Sequence, residues 1–523
     1  MSTLYGLIPA AGKGVRAAPY TRTVPKCMLD IDGTPNLVRN IRLMRDALGI
    51  RDVVIVIGHL GDTIREYLGD GSTYGVNIKY VENTELEKGL AYSVLLAKDY
   101  IDGDFCMILS DECYVDSNHE ELRSFPHGDA IATCAVMRED DPELIRRNYS
   151  VEVDGRRIVQ LVEKPKEVHN DLLGTGTFVF RPRIFHLLEK AFVENDMQYV
   201  DFVTFINDLI QNGERALCFN LTGSYANINN RDSLQLARYH ERSKSFEQKT
   251  ISLVIYSEGD EKDVAFTIKR YRGVERIERI YVVVPHDNRI EDLASECGAE
   301  IIRCPPEIQL YGEKLKYAME CAAGDVLILT EADYSFSSGD VAKLLSYLPE
   351  ADMVVGTRTT RQLIEQGSTM RGVVRMANVF LAKLLEVLWW KYEARLTDVG
   401  CTFRAIWRTT FLSVRQRLAT RGPEFATEMI IEVLAGRGRV IEIPVNYFNR
   451  SQSMHRKYQN IGTFFRILRL IVRKRLGGLV GKKRTKEASL LRTSTDHPHT
   501  AWPAEQRPSS ARDDLPTRGS KPR

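Results

Sequence analysis

The chain has 523 residues, more than one hydrophobic core usually serves, so two or three domains are expected. Its composition is that of a globular protein, 43% hydrophobic and 27% charged, and a net charge of only +2 gives no sign of a general nucleic-acid binder. Nine cysteines are scattered singly, with no C-x-x-C and no histidine cluster at zinc spacing, which predicts reduced thiols in a cytoplasmic protein rather than a disulfide frame or structural zinc.

The first apolar run, Tyr5 to Pro9, reads as a buried strand. It empties into Ala10-Ala11-Gly12-Lys13-Gly14, followed by Arg16 and then Lys26. Glycines at a strand exit let backbone N–H groups approach phosphate oxygens closely. Arg16 and Lys26 add two fixed positive charges suited to a triphosphate and its transition state. A lone G-x-G is a weak signal; A-A-G-x-G-x-R followed by P-K-x-M is far more specific. The longer pattern resembles the signature of the sugar-1-phosphate nucleotidyltransferases. The resemblance implies nucleotide binding by Ala11, Gly12, Gly14 and Arg16, with Arg16 and Lys26 as catalytic residues.

Met28 to Ile31 and Gly33-Thr34-Pro35 then read as a strand and turn, Leu37 to Leu48 as a helix, Val53 to Ile57 as a strand, and Asp62 to Leu68 as a helix. Such alternation predicts a parallel α/β sheet with phosphate chemistry at strand C-termini. Gly89-Leu90-Ala91-Tyr92-Ser93 resembles the family's base-holding loop, so Gly89 is a nucleotide-binding candidate. Hexose-type members usually carry a Gln a few residues before that glycine. Here Glu82, Asn83, Thr84 and Glu85 stand instead, so thymine, uracil and cytosine all stay open.

Phe105 to Leu109 is a further strand ending in Ser110-Asp111-Glu112. A carboxylate at a strand end beside a phosphate loop is well placed to hold Mg²⁺, and in the family this is the metal-binding aspartate. Asp111 is therefore the expected metal ligand; without the opening motif a helix N-cap would be the preferred reading. From Tyr149, two strands flank an Asp-Gly hairpin turn and end in Glu163-Lys164-Pro165. By the resemblance, Glu163 binds sugar hydroxyls and Lys164 the sugar phosphate. Gly174-Thr175-Gly176-Thr177 matches the next sugar-lining turn, with Gly176 in the site. Tyr225 to Asp232 matches the second metal position, where hexose members have Asp and some acetamido-sugar members Asn; Asn227 and Asn229 are the candidates. Mg²⁺, or Mn²⁺ in its stead, is the implied cofactor.

Arg238 to Lys249 reads as a polar linker before a new first strand, Ile251 to Ile255. The expected division is 1–247 for the nucleotidyltransferase domain and 248–460 for a second domain. Strands are predicted at Ile280–Val284, Ile301–Arg303 and Val326–Thr330, without recurrence of the phosphate loop. Glu331-Ala332-Asp333 is an acidic-x-acidic element at a strand end, able to address one metal ion and a diphosphate. With Gly312 and Lys314, Arg358, Arg375-x-x-Asn378, Thr397-Asp398 and Glu424 to Glu428 in that order, residues 250–460 resemble family 2 glycosyltransferases of the dolichyl-phosphate mannosyltransferase group.

That resemblance implies Asp333 as principal metal ligand with Glu331 as its partner, Asp398 near the acceptor or sugar as a catalytic candidate, and Arg358 and Arg450 near phosphates. The departures are Glu331 in place of Asp, Val284-Pro285-His286-Asp287 in place of the nucleoside-holding aspartates, and an altered basic ending, Arg450 to Lys457.

Gly462 to Leu476 places Phe464, Phe465, Leu468, Ile471 and Val472 on one helical face and Arg466, Arg469 and Arg473 on another. Residues 461–484 thus read either as an interfacial helix attracted to anionic lipid or as a domain-packing helix with a solvated basic face. Residues 485–523 are predicted to be a disordered tail. No signal peptide opens the chain and no apolar run reaches the ~20 residues of a spanning helix, so a cytoplasmic protein, or one peripheral to the inner membrane face, is expected.

The fold class expected is α/β: two tandem GT-A/Rossmann-like three-layer domains with mixed, mostly parallel sheets and a disordered tail. The implied partners are an NTP and a sugar-1-phosphate for the first domain. For the second they are a nucleotide-sugar and either a polyprenyl-phosphate-type lipid or a small acceptor. A homo-oligomer is compatible with the sequence. Two competing readings stay open: a monofunctional nucleotidyltransferase with a degenerate second domain used for binding or membrane docking, and a non-enzymatic sensor.

Overall fold

The computed structural model describes residues 4–17, 21, 23–257, 261–284, 288–365, 370, 372–390, 394–448 and 461–491. The segments Pro285 to Asp287 and Arg450 to Lys457, and residues 492–523, lie outside that set. Met1–Leu468 forms one compact unit and Arg469–Arg523 a second. In the second, the described part continues the helix Ile461–Leu491, seven residues beyond the predicted end at 484.

The first unit holds two large sheets. The nine-stranded sheet runs Asn77–Glu82, Asp52–Ile57, Tyr5–Ala10, Phe105–Ile108, Leu172–Phe180, Ala132–Arg138, Ala216–Asn220, Arg157–Glu163 and Tyr149–Asp154. The first four strands are parallel, and Leu172–Phe180 is antiparallel to its neighbours. The seven-stranded sheet runs Glu300–Arg303, Arg279–Val284, Ile251–Tyr256, Val326–Glu331, Arg404–Trp407, Met353–Thr357 and Val440–Pro444. Again four parallel strands come first, followed by an antiparallel one. Reading each sheet by chain order gives the same start, third-second-first-fourth. The order reverses between the first and fourth strands, where open α/β sheets leave a crevice. Apolar runs such as Val53–Ile57 and Val326–Leu329 are buried on both faces, as parallel strands under helices must be.

Two sequence expectations are corrected here. Gly174 to Thr177 is not a turn before a strand; it lies inside Leu172–Phe180, where the pairing shifts register between Gly174 and Phe178. The glycines serve close packing: a Cβ on Gly174 would sit 1.9 Å from the Tyr149 ring. Nor is Arg238 to Lys249 a free linker. Arg231–Lys244 is a helix whose Arg242 is buried against both sheets' loops, and a short 3-10 turn at Phe246–Gln248 follows.

The C-terminal helix keeps part of the predicted apolar face: Ile471 is buried, Leu468 is half-buried and Phe464 meets Phe380 at 6.4 Å between ring centroids, with Thr463 and Ile467 also buried, whereas Phe465 and Val472 are exposed. Among the described residues no helix is long and apolar enough to cross a membrane. All nine cysteines are unpaired.

Candidate active site

The site lies at the reversal point of the nine-stranded sheet, beyond the C-terminal ends of Tyr5–Ala10 and Phe105–Ile108. A cavity of about 560 Å³ opens there, lined by Ala11, Gly12, Gly14, Arg16, Lys26, Gly89, Asp111 and Asn229 among others. A Cβ on Gly12 would meet nothing within 4 Å, so that backbone faces open space. Gly14 has φ +59°, the left-handed region that favours glycine, and its carbonyl accepts from Thr21 Oγ1 at 2.7 Å.

Lys26 follows the loop in a short 3-10 turn, Lys26–Met28. Its Nζ donates to Asp111 Oδ2 at 2.5 Å and to Asn229 Oδ1 at 2.7 Å; Arg16 Nη2 donates to the same Asn229 oxygen at 3.0 Å. These partners come from distant parts of the chain, and the strand Ser224–Asn227 brings them together by pairing antiparallel with Glu112–Val115, Asn227 opposite Glu112. Ile228 N then donates to Asp111 O at 2.8 Å. A capping box at Asn230 and Ser233 starts the next helix, and Ser233 Oγ accepts from Asn229 N at 2.9 Å, fixing the asparagine. On the other side, the buried Asn36 amide donates to Ser110 O and Glu112 O at 3.0 and 2.9 Å, and Asn40 supports Glu112 O at 3.1 Å.

The donor set suits a hard divalent cation. Asp111 and Asn229 offer a carboxylate and an amide oxygen, and both already converge on one positive charge, the Lys26 ammonium. Asn227 is one step removed: its Oδ1 accepts from Asn229 Nδ2 at 2.7 Å, and it does not line the cavity. Among the described residues no cluster of three His, Cys, Asp or Glu side chains has metal-binding geometry.

Another part of the cavity wall is formed by Asn83, Leu86, Gly89, Leu90 and Ser93. Asn83 is buried and donates to Ser93 Oγ at 2.9 Å. Gly89 has φ +81°, and a Cβ there would strike the Tyr199 ring at 2.6 Å. Glu163 and Lys164 lie outside the cavity wall and pair with each other at 2.7 Å. Gly176 is likewise outside it, its N–H donating to Glu112 Oε2 at 2.7 Å.

Glu112 was not legible as part of a network. Its carboxylate also accepts from Tyr225 OH at 2.8 Å and from Tyr114 OH. Burial first, then the Asp111 charge, push its carboxyl up to about 7 against these donations. Beyond Tyr114, Thr177 Oγ1 continues the chain to His119 Nε2 at 3.2 Å, and burial pushes that imidazole down to about 4. Adjacent carboxylates at a strand end were the only signal in the sequence.

In the second sheet the equivalent crevice holds a cavity of about 470 Å³ lined by Tyr311, Glu331, Arg358, Asn378, Leu381 and Phe464 among others. Glu331 Oε1 accepts from Tyr311 OH and Thr402 Oγ1, both at 2.9 Å. Asp333, by contrast, is fully buried, accepts from Ser335 N at 3.1 Å, and does not line the cavity. Asp398 is also fully buried, bound to Arg358 Nε and Nη2 at 2.7 and 2.9 Å and to Asn378 Nδ2 at 2.6 Å. Burial alone would raise its carboxyl; the guanidinium and the hydrogen bonds outweigh that and hold it below the usual carboxylate range. Gly312 and Lys314 lie within the first turn of the helix Tyr311–Cys321.

Comparison with known proteins bears on the first of these sites. The nucleotidyl transferase family profile matches residues 5–244. UTP–glucose-1-phosphate uridylyltransferase AglF of Haloferax volcanii is 32% identical over 196 residues, 38% of this chain and 79% of that protein. Glucose-1-phosphate thymidylyltransferase of Streptomyces griseus is 32% identical over 181 residues, 34% of this chain and 49% of that protein. Among solved structures, UDP-glucose pyrophosphorylase from Acinetobacter baumanii aligns at 19% identity with a TM-score of 0.40, covering 46% of this chain and 94% of the other. The chain spans about four-fifths of the uridylyltransferase and about half of the thymidylyltransferase. A glycine loop, a lysine and an aspartate drawn to one cavity thus accompany sustained similarity over the same stretch, and the chain belongs to the nucleotidyl transferase family.

Proposed function

We propose that the first half transfers a nucleotidyl group from an NTP to a sugar-1-phosphate, releasing pyrophosphate and forming an NDP-sugar. The observation that carries this reading is the convergence of Asp111 Oδ2 and Asn229 Oδ1 on Lys26 Nζ, beside the Gly12–Gly14 backbone and Arg16. The loop N–H groups and Arg16 hold the triphosphate, and Lys26 neutralises charge that develops at the α-phosphate. A sugar-phosphate oxygen attacks the α-phosphorus in line, the bond to the β-phosphate oxygen breaks, and pyrophosphate leaves with that electron pair. The attacking oxygen is already anionic, so positioning and charge neutralisation suffice without a base. Asp111 and Asn229 would hold Mg²⁺, which supplies further neutralisation of phosphate charge when bound. Glu163 and Lys164 are assigned to the sugar-phosphate side. The test is pyrophosphate release by the full chain with Mg²⁺ across four NTPs and a panel of sugar- and polyol-1-phosphates. One productive pair is expected, and silence from folded protein would remove the reading.

For the second half we propose glycosyl transfer from a nucleotide-sugar. The repeated strand order and the strand-end Glu331 in a largely apolar cavity support it. Exposed Val373, Met376, Phe380 and Phe465 near that cavity favour a lipid-phosphate acceptor reached at a membrane surface. One observation favours the competing reading, a binding module without transfer: Asp333 is buried away from the cavity. Labelled-sugar transfer by the full chain, compared with its Glu331→Ala variant, separates the two.

A further inference from the structure

The oxygen that Asn229 offers to the cavity is one end of a primary amide, and a half-turn about the last side-chain bond would offer Nδ2 in its place. A hard cation takes the oxygen and is repelled by the N–H end. What keeps the oxygen inward is the other end of the amide, for Asn229 Nδ2 donates to Asn227 Oδ1 at 2.7 Å. Asn227 is fixed in the same way, its Nδ2 donating to Asn148 Oδ1 at 3.2 Å, and Asn148 Nδ2 donates to the Leu144 carbonyl at 3.0 Å. Three amides thus run head to tail, every Oδ1 accepting and every Nδ2 donating. The run starts at a helix carbonyl and ends at Arg16 and Lys26 in the cavity.

The three residues come from separate parts of the fold. Asn148 stands between the helix Pro142–Arg147 and the strand Tyr149–Asp154, Asn227 ends the strand Ser224–Asn227, and Asn229 precedes the helix Arg231–Lys244. Asn148 has a further connection. Its carbonyl accepts from Lys164 N at 2.8 Å, and Lys164 has φ +45°, in the left-handed region that side chains rarely adopt. The residue assigned to the sugar phosphate and the amide assigned to Mg²⁺ therefore lie at the two ends of one hydrogen-bonded run.

We propose that Asn227 and Asn148 are positioning residues for the first site. Neither lines the cavity; together they hold Asn229 with its oxygen toward the cation. Ser233 fixes the backbone of Asn229, and the relay fixes its side chain. Outer partners of this kind set the orientation of a metal-binding group. The role rests on the nucleotidyl transfer assigned to the first half, while the orientation of the amide is read by metal binding alone.

The test is Mn²⁺ binding by the full chain, followed by electron paramagnetic resonance, with the share lost in Asp111→Ala taken as that of the first site. Asn227→Leu removes the acceptor of Asn229 Nδ2 and is expected to weaken this binding about tenfold or more, the scale for losing an outer partner of a metal ligand. Asn148→Ala, which leaves Asn227 in place but free to turn, should weaken it by a smaller factor. Asn227→Asp keeps an oxygen for Asn229 Nδ2 and should bind Mn²⁺ at least as tightly as wild type. The Mg²⁺ concentration for half-maximal pyrophosphate release should rise by the same factors in the two weakened variants, which a purely structural role would not produce. Circular dichroism checks folding, and Asn148 is only half-buried, so its variant keeps the test valid if Asn227→Leu does not fold. Wild-type Mn²⁺ affinity in Asn227→Leu overturns the inference. Weakening confined to Asn227→Leu, with Asn148→Ala unchanged, overturns the relay and makes Asn227 itself a ligand. A wild-type chain that binds no Mn²⁺ at Asp111 also overturns it. One that binds Mn²⁺ but turns over no substrate pair removes the proposed activity, and the relay then stands or falls on the binding of the variants.

Discussion

Arg242 donates from Nη2 to Asp352 Oδ1 at 2.8 Å, joining a helix of the first half to a loop of the second. The guanidinium also meets Asp32 at 3.3 Å and the Ala351 carbonyl at 3.0 Å, and lies 5.1 Å from the Trp407 ring centre. Its side chain is 3% exposed. Burial opposes charge on both partners, but the pairing outweighs it: Asp352 is held below the usual carboxylate range and Arg242 above its ordinary value.

Arg242→Ala should therefore destabilise the protein by about 3–5 kcal/mol, because Asp32 and Asp352 lose a buried counter-charge. Guanidinium-induced unfolding followed by circular dichroism would measure this. The double variant Arg242→Ala/Asp352→Ala should lose less than the two single losses added together. A loss below about 1 kcal/mol for Arg242→Ala would show that the junction contributes little.

Lys26→Ala should lower kcat for pyrophosphate release about 10²–10³-fold, the scale for removing one preorganised group that meets developing charge. Asn229→Ala should cost less, since Arg16 and Asp111 remain to order the site. Initial rates at saturating NTP check both, and a Lys26→Ala enzyme within a few-fold of wild type would remove the lysine from the mechanism.

Glu112 gives a prediction in pH. Its carboxyl is raised from 4.5 to about 7 in the folded chain, so the folded state binds the extra proton between those values. Its contribution is fully present below about pH 4.5 and is lost as pH rises to about 7. At about 1.4 kcal/mol per unit, the effect is on the order of 3 kcal/mol. Glu112→Gln should flatten the fall in melting temperature across that interval relative to wild type. Parallel curves for the two proteins would contradict the buried, proton-binding state.

The local signals were legible in the sequence and the distant ones were not. Tyr5–Ala10, Val53 to Ile57 and Val326 to Leu329 announce themselves as short apolar runs, and the glycine loop is contiguous. Gly12, Gly14, Lys26 and Asp111 could be picked out because a strand exit needs few residues to define it. Arg242 was hidden because composition counts charges without their partners, and its partners lie 110 and 210 positions away. Gly174 to Thr177 carries turn chemistry, yet a register shift lets the strand run through it. Asp333 follows the acidic-x-acidic pattern, but spacing alone does not say which carboxylate faces the crevice and which faces the core.

Asp398 has the same lesson in testable form. Both its oxygens are engaged by Arg358, with Asn378 and Gly400 N on Oδ1, and its carboxyl is depressed below 3.8 in the folded chain. A depressed carboxylate contributes stability that is present above its unfolded value and lost as pH falls through the folded one. Asp398→Asn should accordingly destabilise the chain at pH 7 by about 3–5 kcal/mol, leaving the buried Arg358 without its counter-charge. The difference from wild type should narrow as pH falls below 3.8. The group is also a poor proton acceptor, so any transfer activity of the second half should show no Asp398-dependent rise between pH 5 and 8. An activity in the wild type that rises through that range, and no longer does so in Asp398→Asn despite intact folding, would instead return the residue to the role of general base.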